Sequence, residues 1–157
     1  MNEPTSLKVA DERLQLVSFT VGGEEFGVDI RHVQEINRTL EITQIPETAE
    51  HIVGIVNLRG RVIPIIDLRV LFGMAQKDRD KHSRIVVMEL DGKAAGFMVD
   101  GVREVLRIPR DVTEEPPAVV GSSCGEYITA IGKLDDRLLI LLDVEKILGH
   151  KTVSETA

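Results

Sequence analysis

His32, His51, His82, His150 and the single Cys124 are the side chains of this sequence best suited to ligate a metal or attack a substrate. Zinc sites need such ligands to converge, and short, regular spacings usually announce them. Here the histidines are scattered and Cys124 has no second cysteine for a CxxC pair, so neither a metal site nor a dithiol is expected. A nucleophilic cysteine also needs a neighbouring base and a lowered pKa; Cys124 stands in the stretch GSSCG, where a bystander role is expected. Gly22 to Gly27 superficially resembles a phosphate-cradling loop. No Lys-Ser/Thr follows it, and it lies between strand-like runs instead of opening a helix, so a hairpin turn accounts for it. Asp67 and Asp143 could look like a carboxylate pair, but each precedes a short helical run and is expected to cap it. No catalytic residue and no cofactor is expected.

Glu35 and Arg59 hold more interest. Strand alternation would put Val33 and Glu35 on one face. If the turn at Arg59-Gly60 packs against that strand, the guanidinium could clamp the carboxylate. Such a pair is either an exposed contact worth ~0–1 kcal/mol or a device that fixes a binding surface. The residues themselves admit both readings.

The elements that would position this pair come from a duplication. Residues 17–36 align without a gap on residues 86–105, and residues 54–73 on residues 130–149. Val17, Gly23, Gly27, Val33 and Glu35 match Val86, Gly92, Gly96, Val102 and Glu104; Ile55, Leu58, Arg61, Asp67 and Gly73 match Ile131, Leu134, Arg137, Asp143 and Gly149. The reading is therefore two related lobes, about 13–73 and 83–149, each too small to bury its apolar surface well alone. Gly22-Gly23, Asp91-Gly92, Arg59-Gly60 and Asp135-Asp136 each separate two strand-like runs, which predicts four hairpins. Asp67 and Asp143 open two short helices ending at Gly73 and Gly149. Residues 29–32 read as a helical turn leading into a strand, and Pro64 suggests an edge position or a bulge. Residues 1–12 and 150–157 read as tails. The second copy carries Asp135 where the first carries Arg59, so Glu104 is expected to lack the partner that Glu35 has.

Composition narrows the class. The chain has 157 residues, 43% of them hydrophobic and 29% charged, so it reads as a soluble globular protein. A net charge of −7 opposes a nucleic-acid partner, which needs clustered Lys and Arg. Aromatic residues make up only 3%, so an aliphatic core is expected. A lone cysteine suits a reducing compartment. The polar N-terminus MNEPTSLKVADER has no signal-peptide character, and no apolar run approaches a membrane span; a cytoplasmic protein is expected.

FTVGGEEFGVDIRHVQEI, IVGIVNLRGRVIPIIDLR, GFMVDGVREVLRI and YITAIGKLDDRLLILLDVEKIL, in that order, resemble the CheW-like domain over residues 13–149, with NLRG-x3-P-x2-DLR as the most specific element. The resemblance implies an all-β fold of two five-stranded barrels of the Src-homology-three type, sharing an apolar core. It implies a non-catalytic adaptor, recruited to membrane receptor arrays, that links the cytoplasmic tips of methyl-accepting chemoreceptors to the regulatory domain of the histidine kinase CheA. By similarity Val33, Glu35, Gly54, Arg59, Gly60 and Val105 match positions tied to receptor coupling, with Arg59 and Glu35 an ion pair. The kinase would contact barrel ends, chiefly of the second lobe, with Arg84 and Val86 as its carried-over positions. Neither a kinase ATP-binding segment nor a receiver accompanies the domain, so a stand-alone member is expected. An adaptor of a parallel pathway, such as surface motility, is the runner-up; an all-β ligand-binding module stands further off.

Overall fold

A computed structural model describes residues 13–38, 40–46, 49–117 and 125–149. Its first hairpin joins β1 (Leu14–Val21) to β2 (Glu24–Asp29) through Gly22 and Gly23, both at positive φ. A one-turn 3-10 helix at Ile30–His32, capped by Asp29, leads into β3 (Val33–Asn37). β4 (Ile52–Leu58) and β5 (Arg61–Asp67) form the second hairpin, and β5 runs into the short helix α1 (Leu68–Leu71). The pattern then repeats. β6 (Arg84–Leu90) turns through Asp91-Gly92 into β7 (Lys93–Val99), followed by β8 (Gly101–Ile108) and the two-residue β9 (Thr113–Glu114). β10 (Ile128–Lys133), β11 (Leu138–Leu142) and helix α2 (Val144–Leu148) close the chain. Both expected caps are present: Asp67 Oδ1 accepts from Arg69 N at 2.9 Å and Asp143 Oδ1 from Lys146 N at 3.1 Å.

The strands make two sheets of matching order, β8-β1-β2-β11-β10-β9 and β3-β6-β7-β5-β4, here called sheets A and B. The fold is all-β, as expected, but the expected contiguous lobes 13–73 and 83–149 are not what the strand pairing builds. Sheet A takes its first hairpin from the first copy and β8, β10 and β11 from the second; sheet B does the reverse. Each copy gives its first hairpin to one sheet and its third strand and second hairpin to the other. The duplication still governs register. Val17 opposite Val105 in sheet A repeats as Val86 opposite Ile36 in sheet B, and Leu141 beside Gly27 repeats as Ile65 beside Gly96. The bulges recur as well, at Arg103 in β8 and at Gln34 in β3. In each sheet the edge strand β3 or β8 continues toward the opposite edge: the chain after β3 bridges to β4 through Thr43 and Ile55, and the chain after β8 becomes β9 beside β10. Pro64 lies in an interior strand, not at an edge or bulge. Pairing with β7 begins only at Ile65, so only β4 runs alongside the residue that lacks an N–H.

Three apolar clusters follow from this exchange. One lies within sheet B, around Val56, Ile63, Ile65, Ile85 and Val87. Another lies within sheet A, around Leu16, Ile108, Leu139 and Leu141. The largest joins the sheets and contains Phe19, Phe26, Val86, Phe97 and both short helices. The core is mostly aliphatic, as composition implies, but the few aromatics concentrate here. Phe26 stacks on Phe72 with centroids 5.1 Å apart, and Phe72 meets Tyr127 at 6.5 Å. Arg69 of α1 also grips Asp100, between β7 and β8, through Nε at 2.9 Å and Nη2 at 2.7 Å, while the same carboxylate accepts from Gly22 N.

Candidate functional site

One end of sheet B gathers the residues of interest. The β4–β5 turn places Arg59 at φ +55 and Gly60 at φ +81, a left-handed pair that matches the twist of a two-residue hairpin. A glycine is the natural occupant of the second position; the arginine tolerates the first at some backbone cost. Asn57 Oδ1 accepts from Gly60 N at 2.9 Å and tightens the turn. The side chain of Arg59 reaches across to β3 and ion-pairs with Glu35. That hydrogen bond, above all, holds the Glu35 carboxyl below the usual carboxylate range. Arg61 points the other way along the same rim, to Glu89 at 3.1 Å and to the Gly92 carbonyl at 2.8 Å, tying this turn to the Asp91-Gly92 turn. Between the two ion pairs opens a recess of about 220 Å³ floored by Leu58, Ile63, Val87 and Ala94.

The pair expected between Glu35 and Arg59 therefore forms, but two attached expectations are corrected. Val33 and Glu35 do not share a face. The bulge at Gln34 sets two residues of β3 against Val87, so Val33 packs toward the core between the sheets while Glu35 lies over the interior of sheet B. Glu104 does not lack a partner either. Arg137, the counterpart of Arg61 and not of Arg59, donates from Nη2 to Glu104 at 2.7 Å and from Nε to Glu25 at 2.6 Å. Glu25 is buried, and its second oxygen has no hydrogen bond; Arg103 Nε stands 3.8 Å from it. The aligned copies already contained Arg137, but nothing in their local pattern signals that strand exchange brings Glu25 of the first copy beneath it.

The remaining positions separate. Val105 stands 63% exposed on the edge strand β8, and its repeat counterpart Ile36 is exposed on the edge strand β3. Gly54 is buried: a Cβ there would lie 2.4 Å from the Thr43 carbonyl oxygen, so the residue secures the Thr43–Ile55 bridge and presents no surface. Val86 is fully buried in the core between the sheets, because the inward face of a central strand holds it there; it offers no side chain to a kinase. Arg84, half-buried, donates to the Lys81 and Ser83 carbonyls. Cys124 and His150 lie outside the described residues. Among the described residues no group of three His, Cys, Asp or Glu is arranged to hold a metal ion, and no helix is long and apolar enough to cross a membrane. Residue-by-residue reading missed Val62 and Leu138, exposed at 57% and 61% directly after Arg61 and Arg137. The repeat was the available signal, since the two positions coincide when the second hairpins are aligned.

Comparison with known proteins matches residues 15–152 to the CheW-like domain family. The chemotaxis protein CheW of Klebsiella aerogenes is 37% identical over 152 residues, covering 96% of this chain and 92% of the relative. That of Thermotoga maritima is 31% identical, covering 96% and 97%. Among solved structures, the scaffolding protein CheW from Thermoanaerobacter tengcongensis superposes with a TM-score of 0.78 at 40% identity, covering 83% of this chain and 88% of that one.

Proposed function

The chain belongs to the CheW-like domain family, and on that premise we propose which of its surfaces meets each partner. It is a non-catalytic adaptor of chemotaxis signalling that couples chemoreceptors to the histidine kinase CheA. We assign the receptor's cytoplasmic tip to the rim of sheet B carrying Glu35, Arg59 and Gly60, together with Val33 on β3 and Val105 on β8. Gly54 contributes by holding the chain after β3 against β4. The kinase's regulatory domain is assigned to the second copy's hairpin end, where Leu138 is exposed; Arg84 remains a candidate there. The protein acts in the cytoplasm and reaches the membrane through its receptors.

The observation that supports the receptor assignment is the Glu35–Arg59 pair itself. A left-handed turn, stiffened by Asn57, holds one long side chain against a neighbouring strand beside an apolar recess. Preorganised charge at an interface sets register and disfavours wrong partners more than it adds raw affinity. Arg59→Ala is expected to weaken binding of a soluble chemoreceptor signalling fragment by about tenfold or more, and to leave binding of the isolated kinase regulatory domain nearly unchanged. Glu104→Ala, at the counterpart position, should affect the receptor less. Titrations against both partners check this; equal losses for the two, or an unchanged receptor affinity with the fold intact, reject the assignment.

A further inference from the structure

The two sheets differ at one repeated place, that of Arg61 and Arg137. In sheet A the position behind the second hairpin is filled from within: the Arg137 guanidinium sits between Glu25 and Glu104, and Arg137 is only 24% exposed. In sheet B the counterpart of Glu25 is Ala94 and that of Ser18 is Val87. With no carboxylate inside, Arg61 turns outward to Glu89 and Gly92 and is 46% exposed. What remains is the recess of about 220 Å³ behind the Glu35–Arg59 pair. Its floor is apolar, and each charge at its mouth already has an opposite partner in Glu35–Arg59 or Arg61–Glu89. A charged knob would have to break one of these pairs, whereas an uncharged one covers the floor and leaves both intact.

We infer that this recess takes an apolar side chain from the chemoreceptor tip, seated behind the Glu35–Arg59 pair. The inference rests on the receptor assignment proposed above and deepens it: the ion pair forms part of the rim and the recess supplies the anchor. The occupant is the receptor because the recess is continuous with Glu35 and Arg59, which line its mouth. Sheet A does not offer the same anchor at the equivalent place, because Arg137 fills it.

Two substitutions in the full-length chain test this. Ala94→Leu fills the recess from its floor. Ala94→Glu transplants the acid of sheet A and gives Arg61 an internal partner. Each is expected to weaken binding of a soluble chemoreceptor signalling fragment about tenfold or more, with the kinase regulatory domain bound within about twofold of the unaltered protein. Methyl NMR of the unaltered protein provides a reading independent of folding in the variants. Ile63 and Val87 methyl signals should shift saturably with receptor fragment and not with the kinase domain. Folded variants that bind receptor normally, variants that lose both partners equally, or recess methyls unmoved by receptor each overturn the socket. If Arg59→Ala still weakens receptor binding in those cases, the rim assignment survives alone. If Arg59→Ala also has no effect, both fall together.

Discussion

Arg137 and Arg59 show how the neighbourhood of a guanidinium sets its task. Both close onto a glutamate at the same place in the repeat, Glu104 and Glu35. Arg137 also lies over the buried Glu25 and bonds its Oε1 at 2.6 Å, whereas Arg103 stays 3.8 Å from Oε2. Removing one member of a buried pair is far more damaging than removing both, because the survivor keeps its desolvation cost. Arg137→Ala is therefore expected to lower the melting temperature by roughly 5 °C or more, and the double variant Glu25→Ala/Arg137→Ala by less. Thermal denaturation of the three proteins checks the order. Arg59 is exposed, and an exposed pair adds little to stability, so Arg59→Ala should leave melting almost unchanged even where it weakens receptor binding.

Among the elements, the turns and junctions carry the vulnerable positions. A Cβ at Gly54 would lie 2.4 Å from Thr43 O and 2.7 Å from the Ile42 side chain, so the bridge that brings the chain after β3 back to β4 must yield. Gly54→Ala is expected to cost about 1–3 kcal/mol. Gly60→Ala meets nothing within 4 Å and is disfavoured only by its φ of +81, a cost of about 1–2 kcal/mol. Chemical denaturation should separate the two further by rescue: only the Gly54 variant should be relieved by trimming Ile42 to alanine. At the α1 junction, Arg69 holds the Asp100 carboxyl below its ordinary range; the Gly22 N–H helps and partial burial opposes. A carboxyl depressed by folding stabilises the protein fully above its unfolded pKa of about 4, and that contribution fades as pH falls through the lower folded value. Asp100→Asn should thus reduce melting at neutral pH by a few degrees and flatten the loss below about pH 4. Asp67, whose carboxyl burial pushes up, works in the opposite direction and sharpens the need for this single-site comparison.

For the molecule as a whole, strand exchange decides its cooperativity. Each sheet is completed by strands from both copies, and the largest core draws side chains from both sheets. Residues 13–73 and 83–149, expressed separately, should each fail to fold, since each would have to leave unpaired the strands that its partner supplies. Mixed in equal amounts they should recover the native far-UV signal, and the intact chain should melt in one transition. A fragment that folds alone would show that a copy can also pair within itself. For an adaptor the consequence is mechanical: the receptor and kinase surfaces proposed here belong to one interlocked body, so displacement of one sheet is resisted by the strands of the other.

Glycine pairs, aspartate caps and alternating apolar residues act within a few residues of themselves, so the hairpins, both short helices and the all-β class were legible in the sequence. The duplication was legible too, and with it the equivalence of register that the sheets display. The Glu35–Arg59 pair could be anticipated because turn and strand had a plausible reason to meet. Strand exchange could not, because two copies with the same hydrophobic pattern satisfy the same local rules whether each pairs with itself or with the other. Only the tertiary structure sets Glu25 beneath Arg137, turns Arg61 outward over Ala94 and buries Val86 and Gly54. Those outcomes depend on contacts between residues as much as 112 positions apart, and on one bulge at Gln34 that moves Glu35 to the opposite face from Val33.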